Sequence, residues 1–187
     1  MKKVIALAVL VAVGFAVSAS AFTFEKSKVT IGVMPVYSMP QGDMGDTVDG
    51  SLGLGVSGEY LVQDNIKVGL DLGYAFSYGA KGATKTADKD FDIKVLNIGP
   101  MVKYFMTKDK FTYYGVAGLG LYNWTSAKIG TIIPSDSGTD FGFNIGVGGS
   151  YEINNNWTGG LDLRYHSVGG DLDANLLNLG FKFDYKF

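Results

Sequence analysis

Charged residues of both signs recur inside stretches of the chain that are otherwise apolar or small. The set comprises Glu59, Lys67, Asp71, Lys103, Asp162, Arg164 and Lys182. Each charge shares a period of two with glycines and other small residues, which indicates one face of a β-strand. Because buried charges need partners, the set predicts either an ion-pair network or a path for ions and small solutes. Which of these applies depends on the elements that carry the charges.

Composition removes several other kinds of chemistry. The 187 residues include no cysteine and one histidine, His166, so disulfides, thiolate catalysis and multi-histidine metal sites are excluded. The formal net charge is −2, with no basic surplus of the kind that nucleic-acid binding requires. We expect no cofactor, no metal ion and no nucleic-acid partner.

Eight stretches alternate apolar residues with polar or small ones. They predict strands over residues 27–38, 50–62, 66–78, 91–105, 111–126, 139–153, 157–167 and 174–187. In the third, Tyr74, Phe76 and Tyr78 continue one apolar face, whereas in the fifth both faces carry apolar residues and the phase stays open. Longer connections follow the odd-numbered strands and tight turns follow the even-numbered ones, as in an antiparallel up-and-down barrel.

The chain ends on a strand in which aromatic and charged residues alternate. Phe181, Phe183, Tyr185 and Phe187 occupy every second position. An exposed edge this aromatic would invite pairing with other chains, whereas a closed barrel in a bilayer has no edge and needs an apolar outer face. The strand therefore favours a transmembrane barrel.

A soluble barrel with an apolar interior is the alternative. The polar face, however, is rich in glycine, as at Gly69, Gly73, Gly146 and Gly148, which suits a narrow interior rather than a solvated surface. Aromatic residues of the apolar face also gather towards both ends of the strands, as in the two interfacial girdles of a membrane barrel. Both patterns favour the membrane-spanning assignment.

The N-terminus predicts export. Lys2 and Lys3 precede an uncharged apolar run over residues 4–17, and Ala19-Ser20-Ala21 has the form of a cleavage site. We expect a signal peptide over residues 1–21 and a single barrel domain over residues 22–187. Cleavage would take Lys2 and Lys3 from the 16 basic residues, leaving 14 against 18 acidic ones.

Two segments support a resemblance to a known family. Residues 95–105 and 113–121 resemble the central hairpin of small eight-stranded bacterial outer-membrane proteins, and Phe181, Phe183, Tyr185 and Phe187 resemble their C-terminal assembly signal. This is the porin-like outer-membrane β-barrel domain family, which includes OmpX, OmpW and the OmpA barrel. The resemblance implies a cell outer membrane location in a Gram-negative-type bacterium, contact with lipid and lipopolysaccharide, and recognition by the barrel-assembly machinery.

His166 and Ser167 resemble the histidine and serine of outer-membrane lipid A deacylases. In that family one residue separates the pair, so both lie on one strand face, whereas here they are adjacent and point in opposite directions. No glutamate follows to orient the histidine. We therefore interpret His166 as a polar residue at the barrel rim and predict no enzymatic activity.

Aspartates gather in the first and last long connections. Asp43, Asp46, Asp49, Asp171 and Asp173 would be neighbours once the last strand pairs with the first. Carboxylates could bind Ca²⁺ or Mg²⁺, but this spacing matches no defined ion loop, so solvated loops are the favoured interpretation.

These observations define an integral outer-membrane barrel with a structural or surface-interaction role. An eight-stranded barrel is about as wide as its own side chains, so the interior is expected to be filled. A narrow porin-like channel for small solutes or apolar molecules is the alternative, and an envelope lipid-modifying enzyme is a distant third.

Overall fold

The computed structural model describes residues 25–79, 91–128 and 136–187. The predicted signal peptide, residues 1–21, lies outside the described residues. The eight strands are β1 Val29–Gln41, β2 Ser51–Gln63, β3 Ile66–Gly79, β4 Phe91–Lys108, β5 Phe111–Lys128, β6 Asp136–Glu152, β7 Trp157–Val168 and β8 Ala174–Lys186. The predicted strands are all present, with β4 and β5 extending a few residues further and β6 beginning three residues earlier.

Each strand pairs antiparallel with its neighbours in sequence, and β8 closes the barrel by pairing with β1. The closing register sets Val33 opposite Phe183 and Val36 opposite Gly180. Closure leaves no strand with an unpaired edge, so every strand backbone can find its hydrogen bonds within the sheet. The predicted eight-stranded antiparallel up-and-down barrel is confirmed.

Alternation along each strand separates an inner face from an outer face. In β1, Thr30, Met34 and Val36 are buried in the interior, whereas Ile31 and Val33 are exposed. The same rule puts apolar side chains outside on every strand, since the exposed residues include Leu52, Leu70, Ile98, Val147, Leu161 and Phe181. An exposed apolar surface around the whole barrel is the surface that a bilayer requires.

The two ends of the barrel differ. The loop end carries the connections after β1, β3, β5 and β7, and the turn end carries the tight turns after β2, β4 and β6. The first connection, predicted as a loop, contains a short helix, α1 Gly42–Thr47. Among the described residues, no helix is both long and apolar enough to cross a membrane.

Tyr78 lies inside the barrel, so the prediction that it continues the outer apolar face was wrong. The register between β3 and β4 shifts between Ala75 and Tyr78, which marks a β-bulge. A bulge adds one residue to a strand, and the side chains beyond it exchange faces. Tyr78 is consequently 1% exposed, and its hydroxyl donates a hydrogen bond of 2.6 Å to Ser38 Oγ.

The structure also resolves the phase of β5. Tyr114, Val116, Tyr122 and Trp124 are buried in the interior, and the alternate residues, among them Tyr113, Leu119 and Leu121, are exposed. Both faces of β5 are therefore rich in apolar groups, which is why alternation in the sequence could not assign them.

Candidate functional site

The first group of interior charges lies towards the turn end and centres on Glu59. Its carboxylate accepts hydrogen bonds from the ammonium groups of Lys103 and Lys182, the second at 2.5 Å, and pairs with Lys67 at 3.4 Å. Lys182 also pairs with Asp184 at 3.2 Å. We call these five residues the Glu59 cluster.

Five residues of four strands form the Glu59 cluster. Glu59 lies on β2, Lys67 on β3, Lys103 on β4, and Lys182 and Asp184 on β8. Side chains from opposite walls can meet because an eight-stranded barrel is narrow enough for them to span its interior. The Glu59 side chain is 1% exposed, so its charge relies on its lysine partners rather than on water.

The second group lies nearer the middle of the barrel. Arg164 donates from Nε to Asp162 Oδ1 at 2.7 Å, from Nη2 to Asp162 Oδ2 at 3.3 Å, and from Nη1 to Asp71 Oδ2 at 2.6 Å. The hydroxyl of Tyr114 donates to Asp162 at 2.8 Å. We call Arg164, Asp71 and Asp162 the Arg164 cluster. The guanidinium suits this place because its fixed fork of donors can serve two carboxylates at once.

Glycines on the inner face of β6 make room for these large side chains. A Cβ at position 146 would lie 2.6 Å from Arg164 Cγ, and one at position 148 would overlap the ring of Tyr114. The small residues that the sequence places on the polar face thus provide the space in which the charged and aromatic groups pack.

The structure places all seven predicted charged residues on the inner face. Glu59, Lys67, Lys103 and Lys182 come together in the Glu59 cluster, and Asp71, Asp162 and Arg164 come together in the Arg164 cluster. Sequence reasoning missed Asp184, although it shares the phase of Lys182 and could have been found from that spacing.

His166 is buried inside the barrel, so its assignment to the rim was wrong. Its Nδ1 lies 2.8 Å from the hydroxyl of Tyr122, and its Nε2 lies 3.1 Å from Nδ2 of Asn178. Both ring nitrogens are therefore engaged by uncharged groups. Ser167 follows on the opposite face of β7, since its partner across the ladder is the outward-facing Phe143. The arrangement lacks the carboxylate and the serine that a hydrolytic triad would need beside the histidine.

An apolar cap fills the interior at the loop end. Its buried members are Val48, Tyr78, Val95, Tyr122, Trp124, Val168, Ala174 and Leu176, and Met44 of α1 packs against them. The cap was not predicted from the sequence, because its members come from the inner face of five strands and from the connection after β1. The period of two predicts polar residues along the whole inner face. The cap departs from this pattern because the inner face turns apolar at the loop end.

The Asp140 carboxylate connects two segments at the loop end through hydrogen bonds. Its Oδ2 accepts hydrogen bonds from Trp124 Nε1 at 2.8 Å and from the Leu172 amide at 2.9 Å. On β6 the exposed apolar residues begin at Phe141, so Asp140 lies beyond the membrane-facing band. Burial acts to raise the pKa of Asp140, but the hydrogen bonds from Leu172 and Trp124 outweigh it, and its pKa lies below the usual value.

Two small cavities lie within the described interior. One of about 40 Å³ lies beside Asp71, Arg164 and His166, and one of about 180 Å³ lies at the turn end beside Lys67 and Lys103. Three groups of side chains lie between the turn end and the loop end: the Glu59 cluster, the Arg164 cluster and the apolar cap. The interior is therefore filled by side chains, as the strand number predicts.

Phe181 and Phe183 are exposed on the outside of β8, and Phe187, which follows β8, is exposed as well. In the part of the chain that the structure describes, no group of three or more histidine, aspartate or glutamate side chains is arranged to hold a metal ion. The loop aspartates, Asp43, Asp46, Asp49, Asp171 and Asp173, thus form no such group.

A closed barrel with an apolar exterior and a polar, side-chain-filled interior defines a class, the integral membrane β-barrel proteins. The family described as "Outer membrane protein beta-barrel domain" matches residues 7–187, and the chain belongs to that family. Its location is the cell outer membrane, where the exposed apolar band meets lipid. The predicted family and location are confirmed. A search of curated protein sequences finds no significant match.

Solved structures share the fold at low sequence identity. Neisserial surface protein A (NspA) is 18% identical with a TM-score of 0.66, and the match covers 86% of this chain and 98% of that one. Ail, the attachment invasion locus protein of Yersinia pestis, crystallised with the heparin analogue sucrose octasulfate, is 15% identical with a TM-score of 0.56, covering 85% and 96%. The outer membrane enzyme PagL is 14% identical with a TM-score of 0.50, covering 83% and 99%. One fold thus serves both surface proteins and an enzyme, so the fold alone does not decide the activity.

Proposed function

We propose that this protein is a sealed outer-membrane barrel that acts through its loop end rather than by conduction or catalysis. The observation that carries the proposal is the filled interior. The Glu59 cluster, the Arg164 cluster and the apolar cap succeed one another along the barrel axis. With the interior closed, the surfaces left for interaction are the lipid-facing band and the two ends, and we propose that the loop end is the one that faces away from the cell.

The surroundings of His166 support a role without catalysis. The histidine contacts Tyr122 and Asn178 instead of a carboxylate, and Ser167 points to the other face of β7. No nucleophile and base are therefore within reach of one another at this position.

The loop end is acidic among the described residues, with Asp43, Asp46 and Asp49 after β1 and Asp171 and Asp173 after β7. These carboxylates would repel a sulfated sugar of the kind bound by Ail, so that ligand is not transferred to this protein. We propose that the apolar band contacts the acyl chains of lipopolysaccharide, and that the loop end contacts a surface partner rather than a sulfated glycan.

We propose that the N-terminus directs export and that the C-terminal strand directs assembly. Residues 1–21 are proposed to be removed as a signal peptide, which N-terminal sequencing of the protein from outer membranes would test. Phe181, Phe183, Tyr185 and Phe187 are proposed to be recognised by the barrel-assembly machinery. Their regular spacing along and just after β8, the strand that closes the barrel, and the exposure of the three phenylalanine rings support this role.

Single-channel recording in planar bilayers tests the sealed interior. We expect no steady current from protein whose folded state is verified by its heat-modifiable mobility on gels. Reproducible small channels from that protein would refute the sealed barrel and establish the narrow channel as the function.

Epitope labelling of intact cells tests the surface role. An epitope inserted after Gly170, in the connection between β7 and β8, should be labelled without permeabilisation. The matched insertion after Asn155, in the turn between β6 and β7, should be labelled only after the membrane is opened. The reverse pattern would place the loop end in the periplasm and remove the proposed surface contact.

A further inference from the structure

The Glu59 cluster carries more positive than negative charge. Its three lysines, Lys67, Lys103 and Lys182, face two carboxylates, Glu59 and Asp184. The Glu59 cluster therefore carries one positive charge in excess, whereas the Arg164 cluster, with two carboxylates and one guanidinium, carries one negative charge in excess. Because no carboxylate within the Glu59 cluster matches its excess positive charge, the cluster favours the approach of one further anion from the turn end.

A cavity of about 180 Å³ adjoins this excess charge. Lys67 and Lys103 line it together with the hydroxyl-bearing side chains of Thr30, Thr112 and Thr158. Asp184 also lines it, and its carboxylate is paired with Lys182 at 3.2 Å. At roughly 30 Å³ for each water molecule, the space corresponds to about six waters. It can therefore hold a tetrahedral oxyanion together with a few waters, with ammonium and hydroxyl donors on several sides.

The mouth of the cavity adds to the positive potential. Lys28 and Lys186 line it at the turn end, and Lys28 is paired there with Glu25. Glu152 shares the inner face at the rim, opposite Thr158 on β7, but does not line the cavity. Low-dielectric walls around charges of mostly one sign focus the field and raise the local concentration of the opposite ion.

We propose that this turn-end cavity, which we name the anion pocket, binds one small inorganic oxyanion such as phosphate or sulfate. Lys67 and Lys103 supply charge-assisted hydrogen bonds, and the threonine hydroxyls supply the remaining donors. The bound anion neutralises the Glu59 cluster and so stabilises the barrel. This inference does not depend on the surface role of the loop end.

Calorimetric titration of inorganic phosphate into the folded protein tests the proposal. The protein is purified from outer membranes in detergent and held in a buffer free of phosphate and sulfate, with little chloride. We expect about one phosphate bound per barrel, displaced by sulfate, and a higher urea midpoint when either anion is present. Absence of both binding and stabilisation overturns the proposal, since the excess charge is then relieved without an anion, as by a neutral lysine.

Two substitutions should change the affinity in opposite directions. Lys67→Met leaves two lysines facing two carboxylates and should weaken phosphate binding at least tenfold, because one unit charge a few ångströms away is worth at least this much in a partly buried site. Asp184→Asn raises the excess to two charges and should tighten binding severalfold.

Lys94→Met is the matched control. Lys94 lies on β4 outside the Glu59 cluster and pairs with Asp92 at 3.9 Å on the surface. Its removal should leave phosphate binding unchanged. An equal loss of phosphate affinity in Lys94→Met and Lys67→Met would contradict a site governed by the charge balance of the cluster. Weaker phosphate binding by Asp184→Asn would contradict it as well. If Lys67→Met does not fold, the direction in which Asp184→Asn changes the affinity for phosphate tests the proposal by itself.

Discussion

Replacement of Arg164 by methionine tests whether the interior charges hold the barrel together. Methionine keeps much of the length of the side chain but removes three hydrogen bonds, two to Asp162 and one to Asp71. Both carboxylates then remain in the interior without their cation, and Asp162 keeps the hydrogen bond from Tyr114. The Arg164 side chain is 1% exposed, so its charge is held by the two carboxylates rather than by bulk water.

The expected cost follows from these contacts. Charge-assisted hydrogen bonds contribute about 1.5–3 kcal/mol each, but the variant also avoids the cost of burying the guanidinium, so the sum is an upper bound. Breaking a buried pair by removing one partner costs about 3–5 kcal/mol, and we expect Arg164→Met to lower the free energy of unfolding by that amount. The folded-to-unfolded ratio should fall by roughly a hundredfold or more.

The assay is urea unfolding in lipid vesicles, followed by tryptophan fluorescence and by mobility on gels. Lys94→Met, which breaks an exposed pair at 3.9 Å, should change the free energy of unfolding by less than about 1 kcal/mol. The triple variant Arg164→Met, Asp71→Asn and Asp162→Asn should regain part of the loss, because it leaves no isolated charge behind. A cost for Arg164→Met no larger than that for Lys94→Met, or a triple variant no better than the single one, would refute a structural ion network.

Three further changes test the packing, the membrane-facing surface and the loop end. Gly148→Val should destabilise the folded barrel by about 1–3 kcal/mol in urea unfolding, because the added side chain strikes a tyrosine ring, whereas Gly149→Val on the outer face should cost less. Leu70→Arg, at a side chain that is 60% exposed to lipid, should cost about 2–4 kcal/mol, and Val62→Arg near the turn end about 0–1, measured in vesicles; equal costs would contradict the assigned bilayer position. Asp140→Asn should lower stability by about 1 kcal/mol at pH 7 and remove part of the acid sensitivity. Because its pKa is lowered on folding, the stabilisation by Asp140 is present above its unfolded pKa of about 3.9 and is lost as the pH falls through the folded pKa, so unchanged acid sensitivity in the variant would count against this role.

The barrel architecture could be predicted because successive side chains along a strand alternate between two environments, and residue type alternates with them. Leu70, Asp71 and Leu72 alternate in sequence, and they alternate between lipid and interior in the structure. Repeated over eight strands with long and short connections in turn, this local signal defines strand number, strand order and the location in a membrane. Predicting these three features requires no knowledge of which distant residues are in contact.

The partners of the interior charges could be decided only by the tertiary structure. Arg164 and Asp71 are 93 positions apart, and Lys182 and Glu59 are 123 apart, so no local pattern pairs them. The bulge that turns Tyr78 inwards and the inner phase of β5 depend likewise on register between strands. Strand faces are determined by neighbours along the chain, whereas contacts across the interior depend on closure, shear and side-chain length together. The sequence alone therefore determined the barrel and its membrane, and only the folded structure decided which charges meet in its interior.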